Sequence, residues 1–132
     1  MRKSPEIQAL AEQNIRDQEE RGGDAALEVT TREPGLLSIG TGPNDWFTSI
    51  PELEQAFAAS ASSEVFPQEN REIEAYEEGT VGWGYIRSDI KLPNGTFKVR
   101  QTFIVHKEDG AWKFVHSHVS VGLTDEQLLD IR

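Results

Sequence analysis

The sequence predicts an α+β fold, and three observations carry that prediction. Helix signals fill the first half of the chain, alternating β-forming residues fill the second, and tight-turn signals join the strands of the second half. Helices followed by consecutive antiparallel strands is the α+β order. The 132 residues match a single domain, 1–132, long enough to bury one core.

Each element has a local cause. Ser4-Pro5-Glu6 opens a helix: a serine oxygen caps free N–H groups, proline suits the first helical position and an acid suits the first turn. Ile7, Leu10, Ala11, Asn14, Ile15 and Gln18 follow at helical spacing as a thinly apolar stripe, and Gly22-Gly23 stops it. Asp24 is placed to cap a shorter helix through Ala25, Leu27 and Val29, which Pro34-Gly35 ends. Leu36 to Ile39 suits a short strand, and Gly40 to Asp45 suits a loop. Ser49 starts a further helix with Leu53, Phe57 and Ala58 on its apolar side, fraying at Ala61-Ser62-Ser63.

Arg71 to Glu78 alternates in part, and Thr80 to Ile90 is rich in β-formers. Thr96 to Lys107 places Phe97, Val99, Gln101, Phe103 and Val105 on one parity, and Trp112 to Val121 is the last long strand. Asn94-Gly95 and Asp109-Gly110 are hairpin signals, so three of these strands form an antiparallel meander. Thr124-Asp125-Glu126 then opens a short helix with Leu128, Leu129 and Ile131.

Thirteen basic residues against 23 acidic ones give a net charge of −10. That balance argues against nucleic acid and anionic membrane as partners, since both carry negative charge. With no cysteine, the chain has no disulfide, no thiolate metal site and no cysteine nucleophile. The N-terminus is basic for two residues and then polar, so no secretory signal is expected. No apolar run approaches the length of a membrane span, and a cytoplasmic location is the expectation.

Side chains alternate across a strand. In the last strand Val115, Ser117, Val119 and Val121 share one parity; Trp112, Phe114, His116, His118 and Ser120 share the other. Neither parity reads as a charged face, which predicts that both faces of the sheet are covered, one by the helices and the other by a second copy of the chain or a further element; with few elements left to spare, this argues for a homodimer.

The stretch Arg100-Gln101-Thr102, then Glu108-Asp109-Gly110-Ala111-Trp112-Lys113-Phe114-Val115-His116-Ser117-His118-Val119-Ser120, resembles the C-terminal half of SnoaL-like domains. These belong to the nuclear transport factor 2-like superfamily, with the ketosteroid isomerases. The same stretch is similar to the association domain of calcium/calmodulin-dependent kinases. Gly22-Gly23-Asp24 and Ser38-Ile39-Gly40-Thr41-Gly42 fit the same pattern, so the resemblance covers most of the chain. It implies a cone-shaped α+β barrel: a curved antiparallel sheet wrapped around N-terminal helices, with an apolar pocket inside and a homodimer contact outside.

The resemblance places Trp83, Tyr85, Arg87, Gln101, Phe103, Ser117 and Val119 toward the pocket, and Trp46 joins them as a wall aromatic. Association-domain pockets carry further arginines where this chain has Phe103 and Val119. Arg87 would be a buried cation in need of a partner, and Tyr85 a donor toward a developing oxyanion. Asp45, Glu77 and Asp89 are the carboxylates available as a general base. His116 and His118 point the same way, but a metal needs a third ligand and His106 is the only other histidine. They read as packing groups on the outer face, so neither metal nor cofactor is expected.

Three functions follow. The first is a homodimer that binds a small apolar or amphiphilic molecule. The second is an isomerase, cyclase or dehydratase using a pocket carboxylate as base. The third is a non-catalytic oligomerisation domain. A carboxylate in the cone within reach of Tyr85 or Arg87 would single out the second.

Overall fold

The computed structural model describes residues 1–61 and 65–130. Its strands are β1 (Arg2–Lys3), β2 (Leu37–Ile39), β3 (Trp46–Phe47), β4 (Glu69–Glu78), β5 (Val81–Leu92), β6 (Gly95–Glu108) and β7 (Ala111–Val121). Its helices are α1 (Pro5–Arg21), α2 (Ile50–Ser60) and α3 (Asp125–Leu129), with a 3-10 helix at Gly23–Val29. The strands make one curved sheet in the order β1-β4-β5-β6-β7-β2-β3. Neighbours run antiparallel except β2 and β7, which are parallel. Helices packed inside such a sheet make the α+β cone expected from the sequence. Among the described residues no helix is long and apolar enough to cross a membrane.

The turn chemistry acts where the sequence placed it. Asp109 and Gly110 both take positive φ, 50° and 83°, the two-residue turn whose twist matches a hairpin. Pro93-Asn94 links Leu92 to its partner Gly95. The meander has four long strands, because Glu69–Glu78 pairs with β5, with an irregularity between Glu69 and Glu72. Ser4 Oγ accepts from Ile7 N at 3.2 Å, Ser49 Oγ from Glu52 N at 3.3 Å, and Thr124 forms a reciprocal capping box with Gln127. Asp24 caps nothing: Gly22 precedes the 3-10 helix, with no side-chain cap. The two-residue strands β1 and β3, too short to show alternation, add an edge on each side of the sheet. The expected fraying at Ser62-Ser63 and the helical role of Ile131 lie outside the described residues.

α1 presses Ile7, Ala11 and Ile15 into a cluster with Ala75, Ile86, Phe103, Val105, Trp112 and Phe114. Close approach depends on Gly82 and Gly84, the inward positions at that end of β5. A methyl at Gly82 would overlap Ile7 Cδ1 and lie 2.9 Å from Val105 Cγ2; one at Gly84 would overlap the Glu74 carbonyl and lie 2.6 Å from Phe103 Cζ. A second cluster joins Leu36, Ile50 and Leu53, with Leu27, Phe47 and Phe57 packed against it.

β7 departs from strict alternation. Val105 pairs with Phe114 but Ile104 pairs with His116, so Val115 is an inserted bulge residue. The bulge brings Trp112 and Phe114 onto the same inner face as Ser117 and Val119, which lie opposite Phe103 and Gln101. The two-face argument is corrected accordingly. The aromatic residues assigned to the outer parity turn inward, and the outer side of β7 carries polar His118 and Ser120, opposite Thr102 and Arg100.

Candidate functional site

Between the two clusters lies a cavity of about 610 Å³. α1 roofs it with Asn14, Ile15, Gln18 and Glu19, at helical spacing on one face. The 3-10 helix adds Leu27, α2 adds Leu53, Ala56 and Phe57, and β3 adds Phe47. The sheet supplies the floor: Gln101 from β6 and Phe114, Ser117 and Val119 from β7, with His116 reaching the wall at the bulge. Its volume is in the range of small-molecule sites.

Of the eight residues expected in the pocket, Gln101, Ser117 and Val119 line this cavity. Phe103 lies in the core, 1% exposed, with its ring edge-on to Phe114 at 5.4 Å between centroids. Trp83, Tyr85 and Arg87 are not on the cavity wall, and this corrects the expectation from the resemblance. Gly82, Gly84, Ile86 and Ser88 hold the buried positions of β5, so the intervening side chains project from the opposite face. The pattern was visible: charged Arg87 and Asp89 share parity with Trp83 and Tyr85, and glycine, isoleucine and serine fill the other. Trp46 is also displaced, 61% exposed. It pairs with Ile39 opposite His118, whereas Phe47 shares the inward register of Ser38 and Ser117 and takes the wall position.

The groups assigned to chemistry are tied up by partners, and all but Asp45 lie outside the cavity. Tyr85 donates its hydroxyl to Glu74 Oε2 at 2.6 Å; this bond holds Glu74 below the usual carboxylate range and raises the phenol. Arg87 pairs with Glu72 at 2.6 Å, which raises the guanidinium further. Asp89 accepts from Lys98 and Asn70, and these bonds lower its pKa. Glu77 accepts from Ser4 Oγ at 2.6 Å and from Arg2, and is lowered, chiefly by Ser4. Asp45 does reach the cavity wall, but its Oδ2 accepts from Gly42 N at 2.8 Å. Gly40 and Gly42 leave room for that carboxylate; a methyl at either would lie within 2.8 Å of Oδ2. The Gly40-Thr41-Gly42 motif therefore builds the loop around Asp45.

The polar groups that do face the cavity are mostly uncharged. Gln101 Nε2 donates to Ser117 Oγ at 2.8 Å on the floor. In the roof, Asn14 Oδ1 is enclosed and accepts no hydrogen bond among the described residues. Glu19 stands near the rim, accepting from Gln68 N at 3.1 Å and pairing with Arg71 at 3.1 Å. Arg71 also binds Glu12 at 2.7 Å, an ion pair that lowers Glu12 and raises Arg71. Among the described residues no group of three His, Asp or Glu side chains is placed to hold a metal.

Sequence reasoning missed Asn14 and Gln18 as site residues. Their signal was the thinness of the α1 stripe: apolar through Ile7 and Ala11, it becomes polar at the turn that roofs the cavity.

Comparison with known proteins agrees with this architecture. The family model for the SnoaL-like domain matches residues 7–124. No curated protein matches the chain. An NTF2-like protein of unknown function from Pseudomonas putida superposes with a TM-score of 0.72 at 13% identity, over 92% of this chain and 89% of that one. A candidate calcium/calmodulin-dependent protein kinase II association domain from Xanthomonas campestris gives 0.64 at 16% identity, over 89% and 86%. A candidate ketosteroid isomerase from Parabacteroides distasonis gives 0.64 at 12% identity, over 89% of each chain. At such identities the likeness is one of fold. With the family model spanning both the helical roof and the meander beneath it, the chain belongs to the SnoaL-like domain family.

Proposed function

We propose that this protein binds a small apolar or amphiphilic molecule in the cavity between α1, α2 and the sheet. The observation that carries the reading is the cavity itself: about 610 Å³, walled by Ile15, Leu27, Leu53, Phe57, Phe114 and Val119, with the Gln101–Ser117 pair on its floor. A largely apolar concavity with a few convergent polar groups is what a small-molecule site requires. Binding is favoured over general-base catalysis because Tyr85 and Arg87 contact carboxylates away from the cavity. The oligomerisation reading is compatible with binding. We assign a homodimer contact to the outer face of β5 and β6, where Val81, Tyr85 and Ile104 are each about 40% exposed.

Titration with Nile red, an uncharged dye that brightens in apolar surroundings, tests the reading. The wild type is expected to show saturable fluorescence. Ala56→Trp places an indole in the cavity from the α2 wall and should weaken uptake about tenfold or more, with its fold intact by circular dichroism. Absence of saturable uptake by the wild type, or equal uptake by the variant, would overturn it.

A further inference from the structure

We infer that the cavity selects an uncharged ligand carrying a hydrogen-bonding head group, such as an alcohol or a primary amide, over fatty anions and amines. The inference rests on the binding reading above and deepens it.

Three observations converge. First, no lysine or arginine is among the described residues of the wall. An anionic head brought inside would lose hydration with no lysine or arginine of the described wall to meet it, in a protein of net charge −10. Second, the carboxylates on the wall already have partners: Glu19 is bound by Arg71 and Gln68, and Asp45 by Gly42. A cationic head would have to compete with those bonds. Third, the floor presents neutral, unfilled hydrogen-bonding capacity. Gln101 gives its N–H to Ser117, which leaves Gln101 Oε1 as an acceptor and the Ser117 hydroxyl as a donor, neither with a partner among the described residues. One acceptor beside one donor complements a hydroxyl or carboxamide, each of which both donates and accepts. The enclosed Oδ1 of Asn14, a lining residue of the roof, is a second acceptor without a partner among the described residues.

Displacement of bound Nile red by four probes on one carbon skeleton tests this: decanol, decanamide, decanoate and decylamine, near neutral pH and below their aggregation limits. Decanol and decanamide are expected to displace the dye at concentrations about tenfold below those of the two ions. Gln101→Leu and Ser117→Ala should each narrow that gap by about threefold or more, the effect of one modest hydrogen bond, with displacement referred to each variant's own dye affinity. Gln101→Glu should turn the preference toward decylamine. If the dye binds and decanoate or decylamine displaces it as well as decanol does, the inference fails and the binding reading stands. If the floor variants keep the full gap, the assignment to Gln101 and Ser117 fails. If the wild type takes up no dye, the binding reading fails and the inference with it.

Discussion

At the scale of single residues, close packing makes small changes costly. Phe103 is 1% exposed and wedged against Phe114, so Phe103→Ala should lower stability by about 3–5 kcal/mol in urea titration. The inward glycines of β5 give a sharper test. Gly82→Ala would press on Ile7 Cδ1, a terminal methyl, whereas Gly84→Ala would press on the Glu74 carbonyl, which is backbone. Both should destabilise, by about 1–3 kcal/mol or more. Ile7→Val removes the obstructing atom and should recover part of the Gly82→Ala loss, while leaving the Gly84→Ala loss untouched. Equal rescue of both in a double-mutant cycle would contradict this packing. Arg71 offers a test by pH. Its ion pair lowers the pKa of Glu12 in the folded state, so the stabilisation is present above the ordinary glutamate pKa of about 4.3 and is lost as pH falls through the depressed folded value. The stability gap between wild type and Arg71→Met should therefore be widest near neutrality and shrink in acid, measured as Tm against pH. A gap that stays constant or widens in acid would refute the assignment.

At the scale of elements, caps and hairpins were legible because their causes are local. Ser4, Ser49 and Thr124 each occupy an N-cap with its bonds formed, and Asp109-Gly110 closes the turn that its φ preferences allow. The two leading serines are not equivalent. Ser4 is 2% exposed and its hydroxyl also reaches Glu77 across the sheet edge, while Ser49 lies nearer solvent. Ser4→Ala should cost about 1–2 kcal/mol by thermal unfolding, and Ser49→Ala toward the lower end of the usual cap range, about 0.5 kcal/mol. What the sequence concealed were features set by distant partners. β1 and β3 are two-residue strands that owe their state to the neighbours they pair with. The bulge at Val115 has no composition signal, and counting parity straight through it put Trp112 and Phe114 on the wrong side. On β5 the signal was present in the charges of Arg87 and Asp89, and the resemblance outweighed it.

At the scale of the molecule, the fold class was readable because helix signals and alternating strands are well separated along the chain. The cavity was less readable, since its wall gathers residues from α1, α2, the 3-10 helix and four strands. Only the floor positions Gln101, Ser117 and Val119 lay where strand alternation alone reaches. The outer face bears on assembly. If Val81, Tyr85 and Ile104 meet a second copy, light scattering should give twice the chain mass of 14.8 kDa, and Ile104→Lys should halve it. A wild type already at the single-chain mass would remove the homodimer from the proposal.

The inserted Val115 has a consequence for how this protein can change. It divides β7 into two stretches that answer to different demands. Before it, Trp112 and Phe114 belong to the core under α1, with Phe114 also reaching the cavity; after it, Ser117 and Val119 face open space. The extra residue absorbs the change of phase between them, so both stretches keep inward side chains. Under the proposed binding reading, Ser117 is the place to begin altering ligand preference.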